Sequence, residues 1–130
     1  MSTRPTDGRP APSGRRVLVV DEDPQTVILL KMLLGAGGHD VMGAEDAAQA
    51  LALATRLLPH LLVLDLELPG GVALARQLRS GVESRAIEIV ALTARAPEDV
   101  METVRAIGCK GPLAKPVSPE RFLAQVQRYL

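Results

Sequence analysis

Aromatic residues are nearly missing from this chain: there is no tryptophan, one phenylalanine (Phe122) and one tyrosine (Tyr129). Without aromatics interleaved among basic side chains, a base-stacking nucleic-acid surface is excluded. Cysteine is scarce too, and Cys109 alone can form neither an intrachain disulfide nor a zinc cluster. No apolar run approaches the roughly 18 residues of a membrane span, and the N-terminus has no apolar signal-peptide core. A soluble chain in the reducing cytoplasm, with no membrane partner, is the expectation. Net charge is also absent, with 15 basic against 15 acidic residues. That zero hides a split: Arg4, Arg9, Arg15 and Arg16 against Asp7 give residues 1–16 a charge of +3, and 11 basic against 14 acidic residues give the remainder −3. Neither value suits a polyanion-binding surface, so direct nucleic-acid binding is not expected.

What is present suffices for one core, since 47% of the 130 residues are hydrophobic. Residues 1–15 are rich in Pro, Gly, Ser, Thr and Arg and read as a disordered tail. Residues 16–130 read as one folded domain. There, short apolar runs alternate with helical patterns, as in βαβ units. Strands are expected near 16–20, 40–43, 61–65, 87–92 and 111–114, and helices near 24–35, 46–57, 72–80, 97–107 and 119–129. Asp23-Pro24, Ala96-Pro97 and Ser118-Pro119 place proline at helix starts. Asp23 and Asp46 suit N-caps of the first two helices, and Gly35, Gly37 and Gly38 suit the end of the first helix. In that helix Val27, Leu30, Leu33 and Leu34 form a core face, leaving Ile28 and Met32 outward as a docking surface or as simple overpacking. His39 and His60 fall in connections at the far edge and read as solvated loop histidines.

Four stations carry the chemistry. Asp21-Glu22 follows the apolar run 17–20, Asp65 follows 61–64, Thr93 follows 87–92, and Lys115-Pro116 follows 111–114. In an open parallel sheet the C-terminal strand ends share one edge, where ligands bind. Three acids, a hydroxyl and an ammonium would meet there, a set suited to Mg²⁺ and one phosphoryl group. Mg²⁺ is a hard cation that takes a few carboxylate oxygens and keeps several waters.

The order and spacing of these stations resemble the receiver (CheY-like) domain of two-component response regulators, over roughly residues 16–130. Asp65-Leu-Glu-Leu-Pro-Gly is similar to that family's phosphoacceptor motif, and Leu113-Ala-Lys-Pro to its last-strand motif. The resemblance implies a flavodoxin-like, doubly wound five-stranded parallel α/β sheet in the order 2-1-3-4-5 with five helices. It implies that Asp65 accepts a phosphoryl group while Thr93 and Lys115 contact the phosphoryl oxygens. Mg²⁺ would be held by Asp21, Glu22, Asp65 and the backbone carbonyl of Glu67, with Glu22 the more direct ligand of the acid pair. The Lys115–Pro116 bond would be cis. The implied partners are a sensor histidine kinase or phosphotransfer protein and a downstream protein target, with homodimerisation open. Such a chain is a signalling switch that assists its own phosphoryl transfer and dephosphorylation, not a dedicated enzyme. With no output segment after Leu130, output is expected through protein contacts or phosphate relay, and a receiver cut from a larger protein fits equally.

Three departures from that family bear on mechanism. Pro69-Gly70 runs straight into Gly71-Val72, so the loop after Asp65 is short. Pro112 stands where the family places a switch Tyr or Phe, and a proline there implies an edge strand or a distortion. Glu67 and Arg95, each two residues after a station, read as an opposed pair that shields the phosphoryl group or gates water. Pro112 and the short loop support an alternative, a receiver-fold interaction module that works without phosphorylation. A small aspartate-based phosphatase of the haloacid dehalogenase type fits less well: Gln25 breaks its motif, and there is no room for a cap domain. A flavin-binding reading fails for want of a Ser/Thr/Gly-rich loop after the first strand.

Overall fold

Unbroken runs of Val, Leu and Ile suit strands covered on both faces, whereas a strand with one wet face alternates. The segment Leu61–Asp65 is of the first kind, and all five of its residues are buried. The computed structural model describes residues 14–130. Strands β1 (Arg16–Val20), β2 (Asp40–Ala44), β3 (Leu61–Asp65), β4 (Glu88–Thr93) and β5 (Lys110–Ala114) pair in parallel in the order β2-β1-β3-β4-β5. Helices α1 (Pro24–Ala36), α2 (Ala47–Leu57), α3 (Gly71–Ser80), α4 (Pro97–Ala106) and α5 (Pro119–Val126) alternate with them. This is the flavodoxin-like doubly wound sheet expected from the sequence.

The two-residue strand period sorts the core into two layers. Leu18, Val20, Leu62, Leu64, Ile89 and Ala91 face α2, α3 and α4, while Val17, Val19, Leu61, Val63, Val90 and Leu92 face α1 and α5. In α1, Val27, Leu30 and Leu34 are buried and Leu33 is half-buried, whereas Ile28 and Met32 are exposed.

Local chemistry fixes the helix starts. An Asp23 carboxylate oxygen accepts from Gln25 N at 3.0 Å, and Asp46 accepts from Gln49 N at 2.7 Å. Proline opens α1, α4 and α5. Some ends differ from expectation. Helix α1 runs through Gly35 to Ala36, so Gly35 lies inside the last turn and Gly37 forms the cap. Helix α5 stops at Val126 and tightens into a 3-10 turn over Gln127–Tyr129.

At the far edge of β4, Pro112 deforms β5 as the sequence implied. The ladder steps from Val90–Lys110 to Leu92–Leu113, leaving one extra residue on β5, and Gly111 takes φ +94°. The bonds before Pro112 and Pro116 are both cis.

The expected tail lies outside the described residues except for Gly14 and Arg15. Arg15 N donates to His39 Nδ1 at 2.9 Å, and its carbonyl accepts from Asp40 N at 3.0 Å. His39, expected as a solvated loop residue, thus ties the entry of β1 to β2.

Candidate functional site

A parallel sheet delivers all its strand C-termini to one edge. Asp21 follows β1, Asp65 ends β3, Thr93 ends β4, and Lys115 follows β5. Polar side chains are rarely buried without cause. Among the described residues the buried polar or charged ones are Asp21, Asp65, Thr93 and Ser84, so three of the four lie at this edge.

Lys115 joins the two carboxylates. Its Nζ donates to Asp21 Oδ2 at 2.9 Å and stands 3.4 Å from Asp65 Oδ2. The second oxygen of each carboxylate is held by backbone: Asp21 Oδ1 accepts from Asp23 N at 2.9 Å, and Asp65 Oδ1 from Glu67 N at 3.0 Å. Asp65 is therefore held in one orientation, with a single oxygen turned toward the ammonium. Burial raises its pKa above the ordinary 3.8. The Glu67 N–H bond and Lys115 pull the other way, and the Asp21 charge adds to the rise. For Lys115, burial acts to lower the pKa. The Asp21 hydrogen bond and the two carboxylate charges outweigh it and hold the ammonium above 10.5.

The short loop after β3 packs tightly. Gly70 takes φ +79°, which favours glycine, and a Cβ on Gly71 would lie 3.0 Å from the Asp65 carbonyl oxygen. The start of α3 is thereby drawn in beside Asp65.

The expected ligand set is only partly gathered. Asp21 and Asp65 converge, while Glu22 is exposed, and among the described residues no group of three acidic, His or Cys side chains is close enough to cage a metal. The donors at hand are nonetheless hard oxygens: two buried carboxylates and the Glu67 carbonyl, to which no backbone N–H donates among the described residues. Such a set fits Mg²⁺, which uses one or two carboxylates and retains water.

The Glu67 side chain departs from expectation. Its carboxylate does not pair with the Arg95 guanidinium; Oε2 accepts the Thr93 hydroxyl at 2.7 Å and Oε1 accepts Ala94 N at 3.1 Å. Sequence alone marked Glu67 for its charge and its carbonyl. The signal for this contact lay in register: Asp65 pairs with Leu92, which sets residue 67 beside the turn that follows β4.

The response regulator receiver domain family matches residues 17–127. The polar-differentiation response regulators DivK of Brucella anthropi and Brucella abortus are each 30% identical over 118 residues, covering 89% of this chain and 96% of the relative. The chemotaxis protein CheY4 of Vibrio cholerae superposes with a TM-score of 0.84 at 28% identity, over 91% of this chain and 100% of that one. The receiver domain of sensor histidine kinase PA1611 from Pseudomonas aeruginosa, whose structure has a magnesium ion in the active-site cleft, gives 0.79 at 28% identity, over 90% and 98%. A family match spanning nearly every strand and helix, over this Asp–Lys–Asp arrangement, places the chain in the response regulator receiver domain family of two-component signalling.

Proposed function

We propose that the protein is a phosphorylation-dependent switch in which Asp65 takes a phosphoryl group from a histidine kinase or phosphotransfer protein. The observation that carries this reading is the setting of Asp65. It is a carboxylate 2% exposed, fixed through one oxygen by Glu67 N–H and facing Lys115 with the other. Phosphoryl transfer needs alignment and charge neutralisation more than nucleophilic strength.

In the step proposed, an Asp65 oxygen forms a bond to phosphorus while the phosphorus–nitrogen bond of the donor phosphohistidine breaks. The departing imidazole takes up a proton from solvent. Lys115 balances charge on the phosphoryl oxygens, and Thr93 offers a hydroxyl hydrogen bond. Asp21, Glu22, Asp65 and the Glu67 carbonyl would hold Mg²⁺, which when bound supplies further positive charge to the phosphoryl oxygens.

The added charge would then reshape the face made by α4, β5 and α5, and output would pass to a downstream protein through contact there. A cytoplasmic setting belongs to the same reading. One observation favours a second reading, a partner-binding module indifferent to phosphate: Pro112 occupies the β5 position where a ring would couple the site to the surface.

Intact mass after incubation with Mg²⁺ and acetyl phosphate or phosphoramidate separates the two. A gain of one phosphoryl mass, dependent on Mg²⁺ and absent from Asp65→Asn, supports the switch. No gain with these donors or with phosphorylated phosphotransfer protein, or an equal gain in Asp65→Asn, supports the phosphate-independent module.

A further inference from the structure

Thr93 has one hydroxyl proton, and Ala94 has one backbone N–H. Both go to Glu67, at 2.7 and 3.1 Å, one to each carboxylate oxygen. The direction of the Thr93 bond is fixed because an ionised carboxylate only accepts, and the same Oγ in turn accepts from Arg95 N at 3.0 Å. A hydroxyl and an amide converging on two oxygens of one anion form an oxyanion seat, and this seat already has an occupant. The backbone of Glu67 meanwhile holds Asp65 Oδ1 through its N–H at 3.0 Å. One residue thus orients the acceptor carboxylate and, with its side chain, takes up the donors beside it.

We infer that the Glu67 carboxylate is an internal ligand of the Thr93–Ala94 seat, and that it must leave before a phosphoryl group on Asp65 can use those donors. The inference rests on the phosphoacceptor reading of Asp65 given above. A single O–H proton cannot serve two acceptors, so the competition is strict at Thr93. A carboxylate and a phosphoryl group also repel, so the two do not share the seat. Glu67 is solvent-exposed, which lets the carboxylate depart into water where its hydrogen bonds are replaced. The barrier it sets is for that reason a matter of several-fold and not of orders of magnitude. Glu67 is on this account a positioning residue for the Asp65 reaction that holds Thr93 in one arrangement until the phosphoryl group displaces it.

The test is titration with beryllium fluoride in Mg²⁺, a phosphoryl analogue, followed through backbone amide resonances because the chain has no tryptophan. Wild type, Glu67→Ala, Glu67→Gln, Thr93→Val and the Glu67→Ala/Thr93→Val pair are compared, with Asp65→Asn as the site control. The expected result is that both Glu67 variants bind about fivefold tighter than wild type. In the Thr93→Val background, Glu67→Ala should gain less than about twofold, since half of the seat is already gone. Simple charge repulsion by Glu67 does not involve the hydroxyl, so an equal gain in both backgrounds would overturn the inference. No gain in either Glu67 variant, with wild type still binding in an Asp65-dependent way, would overturn it too and leave the switch reading intact. Absence of Asp65-dependent binding in every variant would overturn both.

Discussion

Lys115 leans toward Asp21, 2.9 Å away, and not toward Asp65, 3.4 Å away. The ammonium is therefore first a partner for the buried acid after β1 and only second for the acid of β3. Removing one member of such a group leaves charges buried without compensation. Lys115→Met is expected to lower stability by roughly 2 kcal/mol in urea denaturation at pH 7, allowing for the partial exposure of the lysine. Adding Asp65→Asn should recover part of that loss. Because the Lys115 pKa is raised from 10.5, its contribution is complete below pH 10.5 and fades as pH rises through the folded-state value.

Asp65 acts in the opposite sense. Burial, the largest cause, holds its folded pKa above 3.8, so the folded state keeps this proton more tightly than the unfolded chain does. Stability from this group is lost as pH rises from 3.8 through the folded value. Asp65→Asn should therefore be more stable than wild type at pH 7, by roughly 1 kcal/mol. Thermal melts across the acid range check the sign: the advantage should shrink toward pH 3.8.

At the opposite edge, Arg79 acts as a multiple cap. Its guanidinium donates to Gly108 O at 3.2 and 2.9 Å, to Arg85 O at 2.8 Å and to Ile87 O at 2.7 Å. The end of α3, the start of β4 and the loop before β5 are held by one side chain. Arg79→Ala should cost about 2 kcal/mol, and Arg79→Lys should restore little, since an ammonium lacks the planar fork. Chemical denaturation of the three proteins decides this.

Cys109 reports on the same region. Burial raises its thiol from 9.0 to about 11, with Arg79 lowering it and Glu88 raising it, which cuts the thiolate fraction about a hundredfold at neutral pH. Alkylation of the native protein at pH 8 should be slower than that of the unfolded chain by at least that factor. Arg79→Ala withdraws a charge that favours the thiolate, yet it should speed native labelling, because the carbonyl it releases belongs to Gly108, the neighbour of Cys109, and local opening outweighs the lost charge.

Sequence made the sheet and its polar edge legible because each station is a chemically distinct residue after an apolar run. Asp23 and Asp46 were readable as caps for the same local reason. What escaped depends on distance in space. Arg79 reaches a carbonyl 29 residues away, and Glu67 reaches a hydroxyl 26 residues away. Neither contact leaves a local pattern, and the charge of Glu67 pointed instead to Arg95. The 3-10 turn over Ser84–Ala86 was missed because its anchor, Ser84 Oγ donating to Leu78 O at 2.7 Å, joins residues outside any periodic run.

The sheet is not equally stiff about Asp65. Strand β3 is clasped by β1 on one side and β4 on the other, and all five of its residues are buried. Strand β5 has one neighbour, an interrupted ladder and an imino acid with no hydrogen to give. A disturbance at Asp65 thus meets a hard wall toward β1 and a yielding one toward β5. In a chain with Pro112 where a relay ring would stand, unequal compliance across the sheet can itself steer a shape change toward the α5 side.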